Sequence, residues 1–286
     1  MAEKIGIIFW WKDYEEQEAR RVAREAWCAF LATAIVKKEE NWEVTSKVHA
    51  WNAKNAEWYK IDEWSDLWIK SVIIFENSKK AAGELKVVLN ADHHNLGDSG
   101  YWKPADEYFN ASSLWQLMNY LKIEPNKYQR MIAAWDHCPA DAYAGKCPGI
   151  DPKEFTTFRL QQKIKFYKTE EKFHYKANAI KLKKIICNAK EILLNRLTNQ
   201  DGVVDLREIW MIDELPEAAL MLGKAYMTSL PELDRQRNPT WNTKVILWGH
   251  TDKKMILDFI KWWEQQPNKI DVYWDPVRWF AWVILK

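Results

Sequence analysis

Residues Asn90 to Pro104 read NADHHNLGDSGYWKP. Asp92, His93 and His94 set a carboxylate and two imidazoles side by side just after an apolar run, Leu85 to Leu89. Oxygen and nitrogen donors of this kind are the ones that first-row divalent metals take. In open α/β sheets, ligands collect at the carboxyl ends of the strands. Adjacent histidines need a loop to turn either ring inward, and the glycine-containing stretch after Leu89 supplies one. Further along, DHCPADAYAGKCPG brings Asp136, His137, Cys138 and Cys147 into a short segment. Its thiols suit zinc, but Cys138 and Cys147 lack the short spacing of a structural zinc site, and loop residues are the plainer reading.

The elements that must carry these groups follow from apolar periodicity. Ile5 to Phe9 reads as a strand entering a helix over Tyr14 to Leu31, with Ala19, Val22, Ala23, Ala26 and Trp27 at helical spacing. Glu43 to Ala50, Ser71 to Glu76 and Leu85 to Leu89 read as strands, the last running directly into Asp92. Helices are expected over Ala111 to Leu121, opened by Asn110 as a cap, and over Asn126 to Trp135. Asp151 to about Leu197 is long, charged and helical, its lysines forming a solvated face. A second alternating unit follows, with strands at Val203 to Leu206, Ala225 to Leu230, Thr243 to Leu247, Ile270 to Tyr273 and Phe280 to Leu285, and helices at Pro216 to Leu222 and Lys253 to Trp263. The expected class is α/β in two lobes. A mainly parallel-sheet domain spans 1–150, a helical connector 151–200, and a smaller C-terminal α/β domain 201–286.

A chain of 286 residues is long enough for a large core. With 42 basic and 40 acidic side chains it carries no global field that favours nucleic acid. Four scattered cysteines, no secretory pattern at the N-terminus and no apolar run of membrane-spanning length lead to the expectation of a cytoplasmic protein with no membrane partner.

One pair of counts is abnormal. Average usage would give about 20 glycines in this length. There are 9, beside 19 tryptophans. Many tryptophans stand where loops ordinarily want glycine, as in GDSGYWKP, ASSLWQL, KVILWGH and VYWDPVRWFAW. Some genetic codes read UGA as glycine and others as tryptophan. The expectation is that Trp102, Trp115, Trp274, Trp279 and Trp282, then Trp10, Trp11, Trp51 and Trp248, are glycine codons read in the wrong table, while Trp262 is a true tryptophan. Rewritten so, IIFWWKDYEE becomes a strand, a glycine pair and a helix, a geometry that points N–H groups at an anion. It carries neither the Walker nor the dinucleotide pattern in either spelling.

The succession of strand, Asp-His-His, glycine-containing loop and Ala-Ser-Ser opening a helix resembles the DHH phosphoesterase superfamily. The residues concerned are VVLNADHHNLGDSGY (Val87 to Tyr101) and ASSLWQL (Ala111 to Leu117). The resemblance implies a manganese pair bound in part by the Asp-His-His run and completed by a later aspartate, which Asp136 matches in chain position. It assigns Asp92, His93 and Asp136 as metal ligands, and His94 as a further catalytic contact to phosphate or metal. Asp98 would hold a histidine or a water, and Ser112, Ser113 and His137 would line the site or touch substrate. Many of these proteins carry a smaller second domain with a glycine-rich substrate loop. TKVILWGH and VYWDPVRWFAWVIL, with Arg278, are similar to it if their tryptophans are glycines. The family's N-terminal motif, a histidine followed by a close pair of aspartates, is absent here: IIFWWKDYEEQE offers Asp13, and His49 has no such pair after it. Its intermediate aspartate has no match near SVIIFENS.

The implied function is metal-dependent hydrolysis of phosphoester or phosphoanhydride bonds at a cleft between the lobes, two metals activating a water. The substrate would be a small phosphorylated molecule, a nucleotide or a short oligonucleotide. The rival class is a non-catalytic protein that binds a phosphate-bearing ligand in a degraded site. A third reading takes the Asp-His-His run as coincidence in an unrelated α/β protein.

Overall fold

The computed structural model describes residues 5–9, 13–26, 29–35, 58–60, 71–76, 82, 84–94, 97–101, 103–199, 202–209, 212–233, 239–249, 253–275 and 280–286. It is an α/β protein whose chain divides into two compact units. One comprises Met1–Pro139 and Lys146–Ile150, the other Ala140–Gly145 and Asp151–Lys286. The 151–200 stretch, expected as a connector, clusters with the second unit. Among the described residues no helix is long and apolar enough to cross a membrane.

The first unit holds a five-stranded sheet of β1 (Ile5–Phe9), β2 (Ala29–Ile35), β3 (Trp58–Lys60), β4 (Ser71–Phe75) and β5 (Lys86–Ala91), in the order β3-β2-β1-β4-β5. The ladders β1–β2, β1–β4 and β4–β5 are parallel, and β3 runs antiparallel to β2. The strand order reverses between β1 and β4, the switch point at which open sheets leave a crevice. IGIIF and SVIIF are nearly continuous apolar runs because a parallel sheet is covered on both faces. Ile7, Ile8, Phe9 and all of Val72 to Phe75 are buried.

Helix α1 (Tyr14–Glu25) is capped by Asp13, whose Oδ1 accepts the Glu16 N–H at 2.7 Å. It stops six residues before the expected Leu31. Ala26 already turns its N–H back on Arg24 and Val22, and Ala29 onward is taken as the parallel partner of β1. Three of its acids, Glu15, Glu16 and Glu18, are buried. Glu15 Oε1 accepts the Leu114 N–H at 2.9 Å, and Glu18 Oε1 accepts Gln129 Nε2 at 2.9 Å. The first takes an orphan backbone donor and the second a side-chain amide, each in the first turn of another helix, whose positive dipole end favours a carboxylate. Those helices are α3 (Ser113–Tyr120), which follows the single turn α2 (Tyr108–Ala111), and α4 (Lys127–His137). The cap of α3 is Ser112, not Asn110, because Asn110 is used up inside α2. The helix expected from Asn126 forms, with Asn126 itself as its cap in a reciprocal box with Gln129. The strand expected at Glu43 to Ala50 lies outside the described residues.

The second unit begins with the short α5 (Pro139–Tyr143), most of which clusters there, and continues with α6 (Pro152–Thr169) and α7 (Ala179–Asn195). It then builds a sheet from β6 (Val203–Asp205), β7 (Ala225–Leu233), β8 (Pro239–Trp248), β9 (Lys269–Asp275) and β10 (Phe280–Leu285), in the order β6-β7-β8-β10-β9. Among the described residues of this sheet β6 and β7 pair in parallel and the other ladders are antiparallel. Helices α8 (Leu215–Leu222) and α9 (Lys253–Glu264) complete the unit. Glu217 on α8 is buried against Arg159 of α6, Nε to Oε1 at 3.0 Å, and also meets Tyr143 and Lys163.

Four of the tryptophans expected to be glycine codons lie within regular elements rather than loops. Trp115 lies in α3 with its ring on Phe109, centroids 4.4 Å apart. Trp248 and Trp282 lie in strands, with Lys244 Nζ 4.1 Å from the Trp282 ring centre, and Trp274 lies in β9. Outside glycine, the positive φ angles among the described residues are at Glu76, Lys122 and Glu214. None of these four positions has a positive φ. Trp10, Trp11, Trp51, Trp102 and Trp279 lie outside the described residues, as do His49 and Arg278.

Candidate metal centre

Parallel strands deliver their carboxyl ends to one edge of the sheet, and each of three neighbours ends there in acid or imidazole. Asp13 follows β1, Glu76 follows β4, and Asp92, His93 and His94 follow β5. The last turn of α4 brings Asp136 to the same place. Glu76, His93, His94 and Asp136 offer one ligand atom each, all within 4.8 Å of one another, and the group could hold a metal ion. All four lie in the first unit.

The neighbours of each imidazole fix its direction. His93 Nε2 lies 2.9 Å from Asp136 Oδ2, and its Nδ1 lies 3.0 Å from Ser113 Oγ. His94 Nδ1 lies 2.8 Å from Asp92 Oδ1 and 3.9 Å from Glu76 Oε1. The two rings stack with centroids 4.2 Å apart, and His137 presents an edge-on ring 5.5 Å from His93. Asp92 Oδ1 also accepts the N–H groups of His93 and His94, at 2.7 and 3.0 Å. The first residue of the run thus folds back to hold the other two, the arrangement by which an outer carboxylate orients a metal-binding imidazole. Gln116 pins the loop, its Nε2 donating to the carbonyls of Asp92 and Ala111 at 3.1 and 3.0 Å.

Gly100 is required by close approach. A Cβ there would stand 1.9 Å from the Ala111 carbonyl oxygen and 2.6 Å from His93 Cβ. The loop that contains Asp98 and Gly100 lies directly on the back of His93.

Carboxylates crowd this edge, and burial makes the crowding costly. Burial pushes Glu76 well above the ordinary carboxylate range, and Asp13, Asp136 and Asp92 push it in the same direction. Glu15 is raised by burial, then by Asp136 and Glu76. Asp92 goes the other way: burial opposes ionisation, but the hydrogen bond and charge of His94, with His93 behind it, hold the carboxyl below its usual range.

Glu76 is the residue most in need of a cation. It is 3% exposed, has φ +50, and its Oε1 is buried with no hydrogen-bond partner. Its bond to Glu15 requires a proton on one of the two carboxyls, both of which burial pushes up. A left-handed backbone at a non-glycine residue is strained, and such strain clusters at functional sites. Two imidazoles and two carboxylates form a donor set suited to manganese, iron or zinc.

The structure brings Asp92, His93, His94, Asp136, Ser113 and His137 to one place. His137 Nε2 is held 2.8 Å from the Lys103 carbonyl. Ser112 acts as the cap of α3, and Asp98 stands in the turn before Tyr101, outside the group of four. Glu76, Glu15 and Gln116 escaped the sequence analysis. A signal for Glu76 was present: a charged residue that directly follows the apolar run Val72 to Phe75. Comparison with protein-family models, with curated proteins and with solved structures found no match to this chain.

Proposed function

We propose that this protein hydrolyses phosphoester or phosphoanhydride bonds with a divalent ion, manganese first among the candidates, as a divergent relative of the DHH phosphoesterases. The observation that carries the reading is the donor group Glu76, His93, His94 and Asp136 at the carboxyl edge of the parallel strands, beside the switch point of the sheet. Where the family pattern has an aspartate after an earlier strand, Glu76 stands after β4. An ion held there would supply Lewis-acid activation of water and neutralise phosphate charge. The chain's own contribution is to orient the donors. Ser113 fixes Nδ1 of His93 and so turns its Nε2 towards Asp136 and the ion, and Asp92 fixes Nδ1 of His94. The substrate class is a small phosphorylated molecule, a nucleotide or a short oligonucleotide.

One observation favours the second reading, a non-catalytic binder of a phosphate-bearing ligand. Among the described residues after β1, Asp13 stands in place of the family's histidine and aspartate pair, and its Oδ1 is engaged in capping α1. Purified full-length protein should be assayed on bis(p-nitrophenyl) phosphate with and without manganese. Turnover that needs manganese and is lost in Asp136→Ala supports the hydrolase. Metal binding with no turnover of that ester, of nucleotides or of short oligonucleotides would replace it with the binder.

A further inference from the structure

Two thiols next to this site have no part in it. Cys138 closes α4, its N–H on the Ala134 carbonyl at 3.1 Å, and Cys147 lies in the Lys146–Ile150 segment of the same unit. Their sulfurs are 3.0 Å apart, and neither is in a disulfide. Both ends are anchored. Cys147 sits in a turn closed by the Ile150 N–H on its carbonyl at 3.1 Å, and Tyr108 donates to the Pro148 carbonyl at 3.3 Å. A zinc site would need further donors. Among the described residues the one group of three or more histidine, cysteine and acidic ligands is the one around Glu76, and it contains neither cysteine.

We propose that Cys138 and Cys147 form a reversible dithiol–disulfide pair, a redox modification site whose closure fixes the end of α4 that carries Asp136. Accessibility sets the order of events, since Cys138 is half-buried and Cys147 is only 2% exposed. The oxidant is a small-molecule disulfide. The Cys138 thiolate attacks one of its sulfurs, forming a mixed disulfide and expelling one thiolate. Cys147, already beside Cys138 Sγ, then attacks that sulfur and expels the second. Two cysteine thiols are oxidised, one external disulfide is reduced to two thiols, and the two cysteine protons pass to the departing thiolates. The bond draws the sulfurs from 3.0 Å to about 2.05 Å, a movement of about one ångström at the last turn of α4.

The test uses the full-length chain with oxidised glutathione, followed by alkylation, digestion and mass spectrometry. The expected product is a Cys138–Cys147 linked peptide lighter by two hydrogens and reversed by dithiothreitol. Exposed Cys187 should take only a glutathione adduct. Cys147→Ser should trap the mixed disulfide on Cys138, and Cys138→Ser should leave Cys147 unmodified. Amide exchange at residues 134–138 should slow severalfold in the oxidised chain. Separate glutathione adducts on both cysteines, a pair that stays reduced while Cys187 reacts, or stoichiometric zinc lost in Cys147→Ser would each overturn the pair. Unchanged amide exchange in the disulfide form would overturn its effect on α4.

Discussion

Asp92 Oδ1 lies 2.8 Å from His94 Nδ1 while accepting the backbone N–H of His94 at 3.0 Å and of His93 at 2.7 Å. One carboxylate oxygen therefore sets both the turn and the direction of the ring. Asp92→Ala removes all three bonds and is expected to weaken manganese binding about 10- to 100-fold, the usual cost of losing an orienting partner. Manganese-dependent turnover should go with it, while the far-ultraviolet dichroism of the fold remains. Metal affinity equal to wild type by isothermal titration would show that Asp92 does not orient the site.

Glu76→Gln should act in opposite directions without and with metal. Burial and three neighbouring carboxylates resist ionisation of Glu76, so an uncharged amide relieves the metal-free protein at neutral pH. Its melting temperature should rise by about 2–4 °C for each kcal/mol recovered. The wild type should gain about 2.7 kcal/mol from manganese at 100 times its dissociation constant, and the variant should lose that gain. A variant melting below wild type without metal and responding equally to it contradicts this account of Glu76.

Gly100→Ala should be far more damaging than its size implies. The added Cβ would meet the Ala111 carbonyl at 1.9 Å and His93 Cβ at 2.6 Å, so the loop or the histidine must move. Loss of metal binding is expected together with destabilisation of about 1–3 kcal/mol, as in other overpacked sites. Gly97→Ala is the comparison, because no atom crowds a Cβ there and only its φ of +95 is strained. Equal metal affinity in Gly100→Ala and wild type would refute the close approach.

Stability in acid should depend on Glu217. Burial alone would raise its carboxyl, but Arg159 and then Lys163 outweigh it and bring the value down to about 2 from an ordinary 4.5. A depressed carboxyl contributes stability that is complete above pH 4.5 and is lost as pH falls towards 2. The contribution is about 3 kcal/mol. Urea midpoints of wild type and Glu217→Gln should differ most at pH 5 to 8 and converge as pH falls towards 2. A constant gap across that range would mean that the ion pair does not titrate with folding.

The tryptophan excess can be tested at its source. Protein isolated from the native organism is expected to give peptides with glycine at Trp102, Trp115 and Trp282, read with UGA codons in the gene. The Trp115 ring on Phe109 and the Lys244 contact with Trp282 would then be absent from that protein. UGG codons and tryptophan masses at these positions would dispose of the recoding.

The sequence by itself determined the local elements and the chemistry of one strand end. LKVVL running into Asp-His-His was legible because strand, acid and imidazoles are contiguous, and Asn126 and Pro216 marked the starts of their helices by local rules. Tertiary structure decided what meets the histidines. Glu76 joins them because β4 is the parallel neighbour of β5 and the two strands end at the same edge. Asp136 joins because α4 packs its last turn there, 2.9 Å from His93. Glu15 and Glu18 of α1 turn inward because the first turns of α3 and α4 offer them the Leu114 N–H and the Gln129 side-chain amide. Periodicity records which residues share an element. Which elements share an edge depends on strand order and helix packing between residues far apart in the chain, and no local pattern encodes either.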